Sequence, residues 1–446
     1  MAVPDNTLAY IDQASFHGLQ ALGRGPIMQY IWIYRRPVDM DGLRRFHRNL
    51  AGGLLGRRIE CSPLPIGRHR WVAAAGPAGI DLASAERSSA QVWDFLDEHV
   101  ALPVDPGDGP SWRLGVQPLT DGGAAVSLIA SHSVADGQGF TLAVTDAVNG
   151  VDRRLGYPQP GSRTRARALR EDARAVLRAV PSMGRAVAAA VAVARSERAD
   201  LATSFQTMSH PPHIGDDRPV VAPNVSAFID IDEWDRVAKS LGGTSNSLFA
   251  GLAARLGARL GRVGADGLVR LSWPVSERSP GDTRANALIA THMTADPAAV
   301  TRDLAGVRVA MKQALSESAE MSAKLMGPLP LTPLIPKVLV RRLEAMVVSV
   351  NSPIGCSNMG DLDPAVNRPD GTDADYLSLR LLEPRITSRE LNQMNGYLGL
   401  VSGRAHGRLF VAAGGWTAGG DNSRTAMRAA LTGALDDFGV PATFEV

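Results

Sequence analysis

Apolar and polar positions switch between two periods along the chain. Pro26–Tyr34 is a nearly continuous run of β-branched and aromatic residues and predicts a strand, while Asp39–Leu50 has helical spacing, with Asp39 or Asp41 as N-cap. Further strands are predicted at Arg70–Ala74 and Trp112–Pro118, and a helix at Ser89–Val100 opened by serine. Ala124–Ala130 reads as a buried strand, after which Gly137-Gln138-Gly139 turns the chain into an apolar helix over Phe140–Val148. Arg163–Arg198 is a basic amphipathic helical stretch interrupted at Pro181. Beyond it the pattern predicts a strand at Ser226–Ile231, a helix at Asp232–Leu241, and a helix at Ser245–Leu260 capped by Thr244 or Ser245 and stopped by Gly261. A strand at Leu268–Trp273 and a helix from Thr301 to Glu320 follow. Pro328–Pro336 is too rich in proline for regular structure and is expected to border a pocket. The C-terminal part offers Val347–Val350 leading into Cys356, strands at Tyr376–Leu382, Gly396–Ser402 and Arg408–Gly415, and a last helix at Asn422–Asp437.

Strand and helix signals are mixed throughout and no internal repeat is visible, so the fold class is α/β or α+β layered. A chain of 446 residues is about three times a usual domain. The expected division is an N-terminal lobe over 1–160, a basic helical linker over 161–222 and a C-terminal lobe over 223–446.

Charge narrows the function classes. The 47 basic residues nearly balance 45 acidic ones, which gives no field of the kind nucleic-acid binding requires. Cys61 and Cys356 lie near no other cysteine or histidine at metal-ligand spacing, and no metal is expected. The first residues lack the basic start and apolar core of a secretion signal, so a reduced, cytoplasmic setting is the expectation. The longest apolar stretch, Ala186–Ala194, is less than half the span a bilayer requires, so no membrane crossing is expected; peripheral contact stays open.

One segment carries chemistry, Ser131-His132-Ser133-Val134-Ala135-Asp136-Gly137. A histidine just past a strand end can project its ring into a channel, and imidazole suits a general base because its ordinary pKa lies near neutrality. Asp136 would be turned back into the protein, and Gly137 would let the backbone approach a substrate. The plainer alternative is that His132 and Asp136 only cap a helix. Elsewhere the signals are weaker. His210 and His213 flank two prolines and read as a linker loop, His406 as a hairpin turn, and Gly23-Arg24-Gly25 and Ala51-Gly52-Gly53 as turns. Ser276 lacks the Gly-x-Ser-x-Gly elbow of a serine hydrolase.

The 132–137 segment resembles the H-x-x-x-D-G motif of the chloramphenicol acetyltransferase-like superfamily, which includes condensation domains, wax ester and diacylglycerol acyltransferases, and polyketide-associated acyltransferases. Trp273-Pro274-Val275-Ser276-Glu277-Arg278, Gly281–Ala287 with Asn286, and Ser357-Asn358-Met359-Gly360 look like downstream segments of the wax-ester-synthase-like members. The resemblance implies two lobes of this type, each a mixed sheet packed with helices, around a central channel with His132 as general base. It implies that Asp136 is structural and held by Arg278, with Arg284 as the other choice of partner. It also implies an acyl-CoA or phosphopantetheinyl carrier-protein donor, no bound cofactor, and a hydroxyl or amine acceptor. Ser131 stands where many condensation domains and wax ester synthases have a first histidine, which bears on the branch rather than on the base. Ser131, Asn286, His292, Ser357, Asn358 and Trp416 are the channel candidates, with His292 alternatively a satisfied core residue. The alternatives to ester formation are an amide-forming condensation enzyme and a non-catalytic carrier- or lipid-binding protein. The basic stretch 163–198 suits coenzyme A phosphates, an acidic carrier protein or an anionic membrane surface.

Overall fold

Every residue of Ile27–Tyr34 and of Ala124–Ser131 is buried, which explains why both read as nearly continuous apolar runs rather than alternating ones: the sheet they form is covered on both faces. A computed structural model describes residues 5–196, 215–341 and 353–444. In chain order the first half contains α1 (Tyr10–Leu22), β1 (Ile27–Tyr34), α2 (Met40–Leu50), β2 (Arg57–Glu60), β3 (Arg70–Ala73), β4 (Asp81–Leu82), α3 (Val92–Val100), β5 (Trp112–Pro118), β6 (Ala124–Ser131), α4 (Gly137–Val148) and α5 (Arg165–Ser196). The second contains β7 (Pro219–Val220), β8 (Asn224–Asp230), α6 (Ile231–Ser240), α7 (Ser245–Arg259), β9 (Val269–Ser276), β10 (Leu288–Ala295), α8 (Ala305–Ser316), α9 (Ser318–Met326), β11 (Ile354–Asp361), β12 (Tyr376–Leu382), β13 (Ile386–Thr387), α10 (Ser388–Gln393), β14 (Tyr397–Ala405), β15 (Arg408–Trp416) and α11 (Arg424–Asp436).

Two sheets organise these elements, one of five strands in the order β12-β1-β6-β5-β4 and one of six in the order β10-β9-β11-β14-β15-β8. In the first, Tyr30 packs on Phe140 of α4 and Trp32 on Phe46 of α2, so both helices lie on one face. The second has its own core, in which Trp234 of α6 and Phe249 and Leu252 of α7 meet Val411 and Leu400 of the sheet. The first sheet is not built from a contiguous stretch. Its edge strand β12 comes from the second half and pairs antiparallel with β1, Leu379 opposite Tyr30. The chain therefore passes from one sheet to the other and back, tying the lobes together.

Several elements differ from the sequence expectation for identifiable reasons. The helix α5 runs unbroken through Pro181; proline removes one backbone donor, and the turns on either side carry the helix past it. Counting only the continuous run Ala186–Ala194 understated its apolar character. Because its arginines are spaced out, an 18-residue window of mean hydropathy 1.4 lies within Arg165–Arg195, enough to cross a membrane by length and composition alone. The single helix expected over 301–320 is two, breaking at Glu317. The proline-rich segment is not irregular: Leu329–Leu334 forms a 3-10 helix, since proline fixes φ near helical values. Strand β9 continues through Pro274 because β11 pairs with it only at Leu271 and Ser272, so the missing N–H costs no ladder bond on that side. Val347–Val350 and His210 and His213 lie outside the described residues.

Candidate active site

The helix α4 starts three residues earlier than its apolar pattern suggests, because Asp136 is its N-cap and its Oδ1 accepts from Gly139 N–H at 2.7 Å. The other oxygen, Oδ2, accepts from Ala287 N–H at 2.8 Å and lies 2.9 Å from Nη2 of Arg278. Both side chains of this pair are buried, 2% and 8% exposed. Arg278 also donates to the carbonyls of Asp282, Arg284 and Ala285, and Asp136 N–H donates to Ala285 O. The segment 277–287, which joins β9 to β10 of the second sheet, is thereby locked onto the start of α4. A Cβ on Gly139 would lie 3.0 Å from Arg278 Nη2 and 3.2 Å from Asp136 Oδ1, so any side chain there would have to displace the ion pair by a few tenths of an ångström. Arg284 pairs with Asp282, not with Asp136.

His132 leaves the end of β6 with its N–H on Pro26 O, and its Nδ1 is 3.0 Å from Oδ1 of Asn286. Asn286 is itself fixed by Asp12 of α1, whose Oδ1 accepts from both the backbone N–H and Nδ2 of Asn286 and whose Oδ2 accepts from Ala285 N–H. Asp12 is fully buried. Burial raises its carboxyl above the ordinary value, yet both oxygens accept N–H donors, the pattern of an ionised carboxylate. With the amide oxygen of Asn286 turned toward it, Nδ1 of His132 is the donor and Nε2 is left with a free lone pair. Burial lowers the His132 pKa from the ordinary imidazole value, opposed by the negative charge of Asp136 and the bond to Asn286.

A cavity of about 300 Å³ opens at His132 between the two sheets. Met28, Leu379 and Leu381 line it from the first sheet, and Ser272, Ser276, Ser357 and Asn358 are among the residues lining it from the second. Gly137 and Gln138 at the first turn of α4 complete the wall beside His132. Their N–H groups are among those a helix leaves unbonded at its start.

The candidates from sequence divide accordingly. His132, Asp136, Gly137, Arg278 and Asn286 come together, and Ser357 and Asn358 line the same cavity. Ser131 is buried behind it, accepting from Ser133 N–H. His292 is neither in the core nor in the cavity wall: it is exposed on the open face of the edge strand β10. Trp416 lies outside the lining, its Nε1 donating to Asn392. His406 sits in the β14–β15 turn with φ 49°. Two residues were missed. Asp12 is four positions before Phe16 on the buried stripe of α1. Arg57 shares the inward face of β2 with Ile59, and it donates to Val134 O at 2.9 Å and to Thr283 O, clamping both halves of the site. The signal in both cases is a charge at a position whose period says buried.

Comparison with solved structures decides the fold. The first condensation domain of the calcium-dependent antibiotic synthetase superposes with a TM-score of 0.58 at 16% identity, covering 98% of each chain. This is the condensation-domain fold. It is shared with Fusarium sporotrichioides TRI101 complexed with coenzyme A and T-2 (TM-score 0.54, 13% identity, 99% of this chain and 100% of that one). The trichothecene 15-O-acetyltransferase TRI3 from Fusarium sporotrichioides also has it (0.55, 10%, 97% and 94%). The two-lobed chloramphenicol acetyltransferase-like architecture implied by the sequence resemblance is thus the architecture found. No family model and no curated protein matches the sequence.

Proposed function

We propose that the protein is an acyltransferase that moves an acyl group from a coenzyme A or carrier-protein thioester to a hydroxyl acceptor, with His132 as general base. The observation that carries the reading is the oriented imidazole. His132 stands in a cavity between the lobes, its Nδ1 held by Asn286 and its Nε2 free to accept a proton.

In this mechanism Nε2 takes the acceptor's O–H proton as its oxygen attacks the thioester carbonyl. The tetrahedral oxyanion collapses, the C–S bond breaks, and the imidazolium returns the proton to the departing thiolate. No covalent acyl-enzyme forms. In this reading the oxyanion is received by N–H groups at the first turn of α4, where Gly137 and Gln138 line the cavity; one oxyanion donor is worth about 2.7–4 kcal/mol where such a donor has been removed by mutation. Asp136 and Arg278 hold the catalytic segment rather than react. A coenzyme A donor and a hydroxyl acceptor are supported by the coenzyme A complex of TRI101 and the 15-O-acetyltransferase name of TRI3, both of this fold. The downstream motifs lean the same way.

The test is incubation of the protein with acyl-CoA and acyl-carrier-protein thioesters and pooled alcohols and amines, with product mass detection. An acylated alcohol formed with stoichiometric thiol release is expected. An acylated amine would reassign the acceptor, and donor binding without transfer would remove the enzymatic reading.

A further inference from the structure

The helix α5 presents a stripe of apolar residues to solvent. Leu169, Ala173, Leu177, Val180, Gly184, Val187 and Val191 are all exposed, Leu177 to 72%, and their spacing of three and four places them on one side of the helix. The stripe is about 33 Å long at helical rise. Beside it runs a second stripe, Arg167, Arg170, Arg174, Arg178 and Arg185, also exposed. Arg167 pairs with Glu171, while Arg170, Arg174, Arg178 and Arg185 have no carboxylate partner among the described residues. The third side, with Ala168, Asp172 and Ala186 buried, rests on the protein. The 3-10 helix Leu329–Leu334 packs against α5, and exposed Leu334, Val338 and Leu339 continue from it.

We propose that α5 is an interfacial docking helix that lies on an anionic lipid bilayer, its aliphatic stripe in the headgroup boundary and its arginines on lipid phosphates. A helix whose apolar side adjoins a basic one has the amphipathic form that binds this way. It lies on the bilayer rather than across it, because one side is already packed on the protein and Arg178 and Arg185 fall within its most apolar part. A small acidic protein is the poorer fit. The stripe is long, narrow and purely aliphatic, with none of the aromatic anchors that dominate protein interfaces. The geometry makes docking independent of the chemistry at His132, since no residue of α5 lines that cavity.

Flotation of the full-length protein with phosphatidylcholine vesicles, with and without phosphatidylglycerol, tests this in the absence of any substrate. Wild type should float with the anionic vesicles and not with phosphatidylcholine alone. The pair L177E/V187E and, separately, the pair R174E/R178E should each weaken partition about tenfold or more, with circular dichroism and melting unchanged. Failure of wild type to bind anionic vesicles overturns the proposal, as does binding that both pairs leave intact. So would loss, in both pairs, of binding to an acidic acyl carrier protein when vesicles are not bound, which would assign the helix to carrier docking.

Discussion

At the scale of single residues, the orientation and protonation of His132 decide whether it can take a proton. Burial lowers its pKa from 6.5, and a protonated ring cannot accept the acceptor's proton. Activity should therefore fall as pH drops through an inflection below 6.5, which a kcat/KM profile measures; an inflection above 6.5 would contradict this environment. In Asn286→Ala the ring loses a bond that favours its charged form, so the inflection should move further down. The rate should also drop on the order of 100-fold as the free tautomer is lost. Asp12→Ala removes the acceptor of the Ala285 and Asn286 N–H groups as well as of the Asn286 side chain, and by loosening Asn286 it should lower kcat while leaving the donor KM nearly unchanged. His132, Asp136 and Asn286 were legible because a short motif and its downstream companions marked them. Asp12 and Arg57 were not, since nothing local distinguishes a buried charge from a solvated one; only its phase within a helix or strand does so.

At the scale of elements, the Asp136–Arg278 pair is what fastens the 277–287 segment to α4. Arg278→Ala leaves a buried carboxylate without its cation and should cost about 3–5 kcal/mol of stability, seen as a lower denaturation midpoint. Restoring bulk with Arg278→Met should recover little, because the lost charge is the cause. Pro181 gives the opposite expectation. It sits exposed inside a continuous helix, so Pro181→Ala should raise helicity and stability rather than lower them. The sequence pattern located most strands and helices because β1, β5, β6 and β12 are dominated by apolar residues with few polar interruptions and α2, α4 and α7 have side-chain caps. Most of its errors fall where backbone chemistry overrode a local rule, at Pro181, Pro274 and the prolines of 328–336; the break at Glu317 carries no such mark.

At the scale of the whole molecule, two sheets share a cavity that neither encloses alone, and this was the least legible level. That β12 joins β1 across some 350 residues is a long-range pairing with no signature in either segment. Two lobes were expected from chain length and the basic linker, the channel between them only from the resemblance, and the position of the cavity wall followed from the topology. The architecture makes one demand on the proposed function: His132 is reached from between the lobes, and everything that orients its ring converges there from α1, β6, α4 and the 277–287 segment. The most direct test of that claim is single-turnover thiol release by wild type and by folded His132→Ala, each with its accepted donor and acceptor. A loss of about 10²–10⁴-fold in transfer with donor affinity preserved is the predicted result; transfer at an undiminished rate would show that another group takes the proton and that the constellation around His132 is structural.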